Sequence, residues 1–149
     1  MKTLKVKNGQ ILPLFAFLSD LSLHGKESRS RSRFKKLLAD RIAELEEERI
    51  ALCEKYSKKN KKGETLYLDK DEKETTNKTG GSKYTIEKVE EFNKELIDYM
   101  AEDFVVDVSP SNSETVYAVR DIILGVDKEF KGEEADAYDE LCSSFEDIK

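Results

Sequence analysis

Histidine is almost absent from this chain, which excludes several kinds of catalytic and metal site. The only histidine is His24, and only two cysteines accompany it. One chain therefore cannot supply a histidine-based catalytic triad, a paired-histidine metal site or a zinc finger. His24 precedes Gly25 at the predicted end of a helix, where we expect it to cap the last carbonyl groups.

Cysteine pairs and phosphate-binding motifs are also missing. Cys53 and Cys142 each lie beside an apolar helical stripe, so reduced thiols are expected rather than a disulfide. No GxGxxG or GxxxxGK segment is present. The many carboxylates fall on predicted exposed faces, where a paired-carboxylate catalytic site is not expected. We therefore expect no enzyme, no cofactor and no metal site. A pocket assembled from scattered residues, in one chain or between two copies, is the alternative.

Long hydrophobic runs are absent as well. Residues 1–7 contain no run of signal length, and no window approaches a membrane span. We therefore expect a cytoplasmic protein that has no membrane partner. Its 149 residues suit a single domain, residues 1–149, with a moderate core.

Charge is abundant and unevenly distributed, with charged residues making up 39% of the chain. Residues 1–63 carry 16 Lys/Arg against 8 Asp/Glu, whereas residues 101–149 carry 4 against 14. One interpretation is a basic face for an anionic partner and an acidic face for a basic one. The other is that the two regions pack together and partly neutralise each other.

The longest periodic segment runs from about Ser28 to Asn60 and predicts one charged helix. Its apolar positions recur at steps of three, four or seven: Phe34, Leu38, Ile42, Leu45, Leu52 and Tyr56. Such a helix would be roughly 50 Å long at about 1.5 Å per residue. We expect it to be a spine along which other segments pack, or along which a second copy packs to form a homodimer.

The segment before the spine predicts a strand and a helix. Leu4 and Val6 alternate with lysines, as in a strand with one covered face. Asn8 is expected to cap a helix whose residues 11–23 are apolar nearly all round, so that it is buried on most sides. Gly25 is expected to end this helix.

An alternating Arg/Ser run follows at residues 28–33. Its arginines, with the lysines after them, are candidates for binding phosphates or another anionic surface: Arg29, Arg31, Arg33, Lys35 and Lys36. The alternative is a solvated first helical turn in which Ser28 or Ser30 is the N-cap. Arginine is unusual at a helix N-terminus, where acidic residues are favoured, and this hints at a functional basic patch.

The middle of the chain predicts a hairpin, a helix and a strand. Residues 64–68 are expected to form a strand, and residues 65–68 to pair with residues 83–85 across a mobile loop at about 69–82. Thr85 is a candidate N-cap for a helix that carries Val89, Phe92 and Leu96. Residues 104–108 alternate as a strand and are expected to pair with the N-terminal one.

The C-terminal third predicts two helices. Residues 111–114 have the form of a capping box, and the apolar steps from Val116 to Phe130 favour a helix, with a strand over residues 115–119 as the alternative. Residues 133–148 predict an amphipathic helix with an acidic outer face. The predicted fold is therefore α+β and mostly helical. It has a long central helix, an apolar N-terminal helix, a small antiparallel sheet or hairpin and an acidic C-terminal helix.

Three stretches share their order and spacing with a known family. They are residues 4–12 (LKVKNGQIL), residues 54–56 (EKY) with the lysine-rich turn to Gly63, and residues 89–96 (VEEFNKEL). Over about residues 4–108 the chain resembles a family of small uncharacterised proteins encoded by tailed phages of Gram-positive bacteria. The Arg/Ser run and the acidic C-terminal region depart from the usual pattern. No functional residues are established for the family, so the resemblance implies only a phage or prophage product acting inside a bacterium.

These observations favour a non-enzymatic protein-binding module. Its partner would be a host protein, such as an anti-phage defence protein that it inhibits, or a phage protein that it helps to assemble. An acidic helical surface can occupy a nucleic-acid channel on a host protein by presenting regularly spaced carboxylates; the candidate residues are Glu133, Glu134, Asp136, Asp139 and Glu140. The alternative is nucleic-acid binding through the basic segment.

Overall fold

The computed structural model describes residues 2–79 and 82–148. Within them the chain forms five helices and five strands. The helices are α1 (Asn8–Asp20), α2 (Gly25–Tyr56), α3 (Val89–Ala101), α4 (Ser113–Leu124) and α5 (Glu133–Glu146). The strands are β1 (Thr3–Lys7), β2 (Tyr67–Leu68), β3 (Glu74–Thr75), β4 (Lys83–Tyr84) and β5 (Asp103–Asp107). The predicted class, α+β and mostly helical, is confirmed.

The chain divides into two compact units. Unit 1 comprises residues 1–43 and 101–149, and unit 2 comprises residues 44–100. Helix α2 begins in unit 1 and ends in unit 2. The expectation of one domain stays a prediction, because two compact units can belong to a single domain.

The two strands of unit 1 pair as the sequence predicted. β1 and β5 are antiparallel, with Leu4 opposite Val106 and Val6 opposite Phe104. Leu4 and Val6 are buried while Lys5 and Lys7 are exposed, as expected for a strand with one covered face. This pairing joins residues 3–7 to residues 103–107 within unit 1.

Helix α1 buries one stripe, so the expectation of burial on most sides is wrong. Its buried residues are Asn8, Ile11, Leu14 and Leu18, which recur at helical spacing. Leu12, on another face, is 61% exposed. The core of unit 1 is completed by α2, α4 and α5, where the rings of Phe34 and Phe145 pack with centroids 5.9 Å apart.

The buried Asn8 links α1 to the long helix. Its Oδ1 accepts hydrogen bonds from Arg41 Nε at 3.2 Å and Nη2 at 2.8 Å. The Arg41 guanidinium also lies over the Phe104 ring, 5.2 Å from its centroid. Asn8 does not cap α1 through its side chain, since Lys7 is the N-cap residue. The predicted cap is replaced by a tertiary contact with a charged donor, which is stronger than a neutral hydrogen bond.

The long helix begins earlier than predicted, and this changes the meaning of the Arg/Ser run. α1 ends at Asp20 and α2 starts at Gly25, with Glu27 in its first turn. His24 therefore lies before α2, and its carbonyl accepts the Ser28 N–H at 2.8 Å. Neither Ser28 nor Ser30 is an N-cap, and the arginines lie inside the helix. The acidic first turn agrees with the helix dipole.

Arg31 has a structural role that the sequence did not reveal. Its Nη1 donates to the Leu18 carbonyl at 3.0 Å and also to the Leu21 carbonyl. These carbonyls lie at the C-terminal end of α1, where helix carbonyl groups lack intrahelical partners. Arg31 therefore does what was expected of His24.

The segment at 112–130 is helical only in its first part. α4 ends at Leu124, so the strand alternative is wrong, and Val126 and Phe130 lie beyond the helix. A Cβ at Gly125 would lie 2.9 Å from the Asp121 carbonyl oxygen, which favours glycine at the end of α4. The capping box does not form either. The Asn112 Oδ1 instead accepts the Ser109 N–H at 2.8 Å.

Unit 2 contains the predicted hairpin and one further strand. β2 pairs with β4, Tyr67 opposite Tyr84, and also with β3, so part of the predicted mobile loop is a strand. Gly80 and Gly81 of that loop lie outside the described residues. Thr85 is not an N-cap, because its hydroxyl donates to the Leu66 carbonyl at 2.8 Å and α3 begins only at Val89.

We expect Arg31→Met to lower the free energy of unfolding by about 1–3 kcal/mol, because charged hydrogen bonds to the end of α1 are lost. Arg29→Met, at an exposed position two residues earlier, should change it by less than about 0.5 kcal/mol. Urea unfolding followed by circular dichroism measures both. Equal effects would contradict the capping role.

Candidate functional site

Unit 1 has a cleft that lies between α1, the segment after α4 and α5. Its volume is ≈ 200 Å³.

 A second cleft of unit 1, beside Leu21 and Gly125, has a volume of ≈ 310 Å³. The wall of the first cleft is mostly apolar and is formed by Pro13, Ala16, Phe17, Phe130, Ala137, Tyr138 and Leu141.

Three aromatic rings line this cleft and pack against one another. Phe130 and Tyr138 are stacked, with centroids 4.4 Å apart and an interplanar angle of 11°. Phe17 lies 6.3 Å from Phe130 and 5.8 Å from Tyr138. Each distance is within the range of favourable aromatic pairs, so the three rings hold one another in place.

Charged groups lie at the rim of the cleft. Asp20 of α1 and Glu134 of α5 are among its lining residues, together with Lys128. The Lys128 ammonium lies over the Phe130 ring, 5.3 Å from its centroid, a distance typical of a cation–π contact. The rim therefore combines two carboxylates with an aromatic face that already attracts a cation.

Tyr138 is fixed by a hydrogen bond as well as by stacking. Its hydroxyl donates to the Ile123 carbonyl at 2.6 Å. Burial, the larger cause, and the neighbouring Cys142 thiol raise the pKa of Tyr138 to about 12. The neutral phenol is therefore the form that the folded state holds.

The five predicted acidic residues are all exposed on α5, but they do not share one face. Glu133, Asp136 and Glu140 follow one another at steps of three and four residues, which places them along one stripe. We call these three residues the acidic stripe. Glu134 lines the cleft, and Asp139 lies on the other side of the stripe. Glu140 also accepts a hydrogen bond from Gln10 of α1.

The five predicted basic residues are separated further. Arg31 holds the end of α1, and the Lys35 ammonium lies over the Phe15 ring, 4.6 Å from its centroid. Arg29, Arg33 and Lys36 are exposed and are spaced by four and three residues, so they share one helix stripe. We call these three residues the basic stripe.

Unit 2 offers charged and aromatic contacts at its surface. Glu95 accepts hydrogen bonds from Lys55 at 2.9 Å and from the Tyr56 hydroxyl at 2.7 Å, and both contacts lower the pKa of Glu95. Helix α3 leaves Val89 and Ile97 54% and 67% exposed. The homodimer expected from the sequence stays a prediction.

Metal-ligating side chains do not cluster within the residues that the structure describes. No group of three or more metal-ligating side chains comes together in residues 2–79 and 82–148. Asp69, near other acids in the sequence, accepts the backbone N–H groups of Asp71 and Lys73 instead, each at 2.9 Å. Within the same residues, no helix is long and apolar enough to cross a membrane.

Comparison with known proteins gives no match: no family model, no curated protein and no solved structure matches this chain. The cleft itself was not predicted from the sequence. The sequence places Phe130 in the helix that starts before Val116, Phe17 in the apolar helix of residues 11–23 and Tyr138 in the amphipathic helix of residues 133–148. The three rings come from segments far apart in the chain, and no local pattern signals their meeting.

We expect Tyr138 to make the stability of unit 1 sensitive to alkaline pH. Its pKa is raised to about 12 from an ordinary value near 10. Its contribution is therefore fully present below about pH 10 and is lost as the pH rises toward 12. Urea unfolding between pH 9 and 11 should show a smaller loss of stability for Tyr138→Phe than for the unchanged chain. Parallel losses in the two proteins would contradict the assignment.

Proposed function

We propose that this chain is a non-enzymatic protein-binding module that docks a basic partner on the acidic stripe of α5 and the adjoining cleft. The resemblance to tailed-phage proteins supplies the context: a phage or prophage product in the cytoplasm of a bacterium. The partner in that context is a host protein, such as an anti-phage defence protein that the module inhibits. A phage protein that it helps to assemble is the alternative.

The observation that carries this proposal is the charge of α5 beside an apolar cleft. Residues 133–148 contain seven acidic residues and no lysine or arginine. Glu133 and Glu140 are separated by about 10 Å along the helix, since each residue adds about 1.5 Å. A surface of one charge sign attracts and orients an oppositely charged partner.

The two parts of the surface would contribute differently to binding. Exposed ion pairs add little affinity, because water and salt screen them. Apolar or aromatic groups that enter a pocket contribute more, and the surrounding polar contacts exclude water from them. The acidic stripe would therefore select the partner and speed association, while the cleft would hold it.

We expect neutralisation of the acidic stripe to weaken partner capture. The variant carries Glu133→Gln, Asp136→Asn and Glu140→Gln. At about 0.2–1 kcal/mol for each exposed ion pair, the loss should be roughly three- to a hundredfold. Capture from nuclease-treated bacterial lysate onto immobilised protein, quantified by mass spectrometry, measures it.

A matched control removes the same charge from unit 2. Glu47→Gln, Glu48→Gln and Asp98→Asn are exposed positions, and this variant should capture the partner as the unchanged chain does. Equal capture by all three proteins would contradict the proposed surface. The identity of the captured protein, host or phage, separates inhibition from assembly.

Nucleic-acid binding is the second candidate, and the basic stripe favours it. Arg29, Arg33 and Lys36 are exposed along one stripe of α2, an arrangement in which each can reach a phosphate. The net charge of −6 opposes this function. Arg31 and Lys35, which the sequence assigned to the same patch, are held by Leu18, Leu21 and Phe15 in unit 1.

If the basic stripe binds duplex DNA, replacing its three residues by glutamine should reduce the slope of log K against log salt by about 2.7, since each phosphate contact contributes about 0.9. Fluorescence anisotropy with a labelled duplex at several salt concentrations measures the slope. Lys61→Gln, Lys62→Gln and Lys70→Gln, at exposed positions of unit 2, provide the control. An unchanged slope in the stripe variant would exclude this site.

A further inference from the structure

The cleft between α1 and α5 has the size of one large side chain. Its volume is ≈ 200 Å³, and an apolar cavity of about 150 Å³ in another protein admits a benzene molecule. Leu141, which lines it, is only 4% exposed. A phenylalanine or leucine side chain from outside would therefore meet an apolar wall.

The cleft is also formed in advance. Phe17, Phe130 and Tyr138 pack against one another, and the Tyr138 hydroxyl is tied to the Ile123 carbonyl at 2.6 Å. Ordering side chains at an interface costs free energy that a preformed pocket does not have to supply again. An entering side chain would thus gain apolar burial at a small entropic cost.

The charges at the rim select what can enter. Asp20 and Glu134 line the cleft, and the acidic stripe runs beside it on the same helix. The Lys128 ammonium over Phe130 indicates that the aromatic face accepts a cation, which a partner's lysine or arginine could replace. A second copy of this chain would bring another acidic α5 against the first, and like charges oppose that arrangement.

From this combination we infer that the cleft binds one phenylalanine or leucine side chain of a partner segment in which lysine or arginine flanks that residue. The inference rests on the proposed function and adds the chemical class of the segment. The apolar side chain enters between Phe17 and Leu141, and its basic neighbours face the carboxylates of the rim and of the acidic stripe.

Short peptides test the inference directly on the full chain. The probes are Ac-Lys-Arg-Phe-Arg-Lys-NH₂, the same peptide with a central alanine, and a version in which glutamates replace its basic residues. Two-dimensional amide NMR spectra report binding. The phenylalanine peptide should bind about ten- to a hundredfold more tightly than the alanine peptide, with signals shifting at Ala16 and Ala137. The glutamate version should bind more weakly than either. Equal affinities of the phenylalanine and alanine peptides would overturn the inference.

A filled cleft provides the second arm. Ala16→Leu with Ala137→Leu fills the cleft from two exposed helix positions, and leucine is a good helix former. This variant should lose the preference for phenylalanine over alanine, whereas Ala51→Leu, at an exposed position of α2 in unit 2, should keep it. Circular dichroism checks that both fold.

The two arms separate failure of the inference from failure of the proposed function. If the filled cleft keeps the preference but neutralising the acidic stripe weakens both peptides, the cleft inference is wrong and the acidic surface stands. If neither change weakens binding, both are wrong.

Discussion

The antiparallel pairing of β1 with β5 is the constraint on which the candidate surface depends. It joins residues 3–7 to residues 103–107, so the helices that follow these strands are gathered in the same unit. Helix α1 leaves β1 directly, and α5 belongs to the chain beyond β5. This pairing joins segments about a hundred residues apart within one unit, and such non-local contacts require loop closure before they stabilise the fold.

Polar side chains fix the position of helix α1, which follows β1. The side chain of Asn8, which is 2% exposed, accepts hydrogen bonds from Arg41. Arg31 donates hydrogen bonds to carbonyl groups at the C-terminal end of α1. Both ends of α1 are therefore positioned by charged hydrogen bonds as well as by apolar packing. Two basic residues, Arg31 and Arg41, are therefore part of the structure of unit 1.

Elements with strong periodicity were predictable, whereas their ends and their meeting points were not. The apolar stripe of α2, the alternation in β1 and β5 and the acidic α5 follow from local patterns. The start of α2 was misplaced because the arginines suggested an exposed first turn, although Arg31 bonds to carbonyls ten and thirteen residues away. The cleft rings come from residues 17, 130 and 138, and only the tertiary fold brings them together.

The claim that α5 and the cleft form the docking surface is tested most directly by hydrogen–deuterium exchange of the chain with and without its captured partner. Because docking excludes water from the covered backbone, protection is expected at residues 13–20 and 128–146. Exchange at residues 26–36 and throughout unit 2 should stay unchanged. Protection confined to residues 26–36, or to unit 2, would contradict the claim.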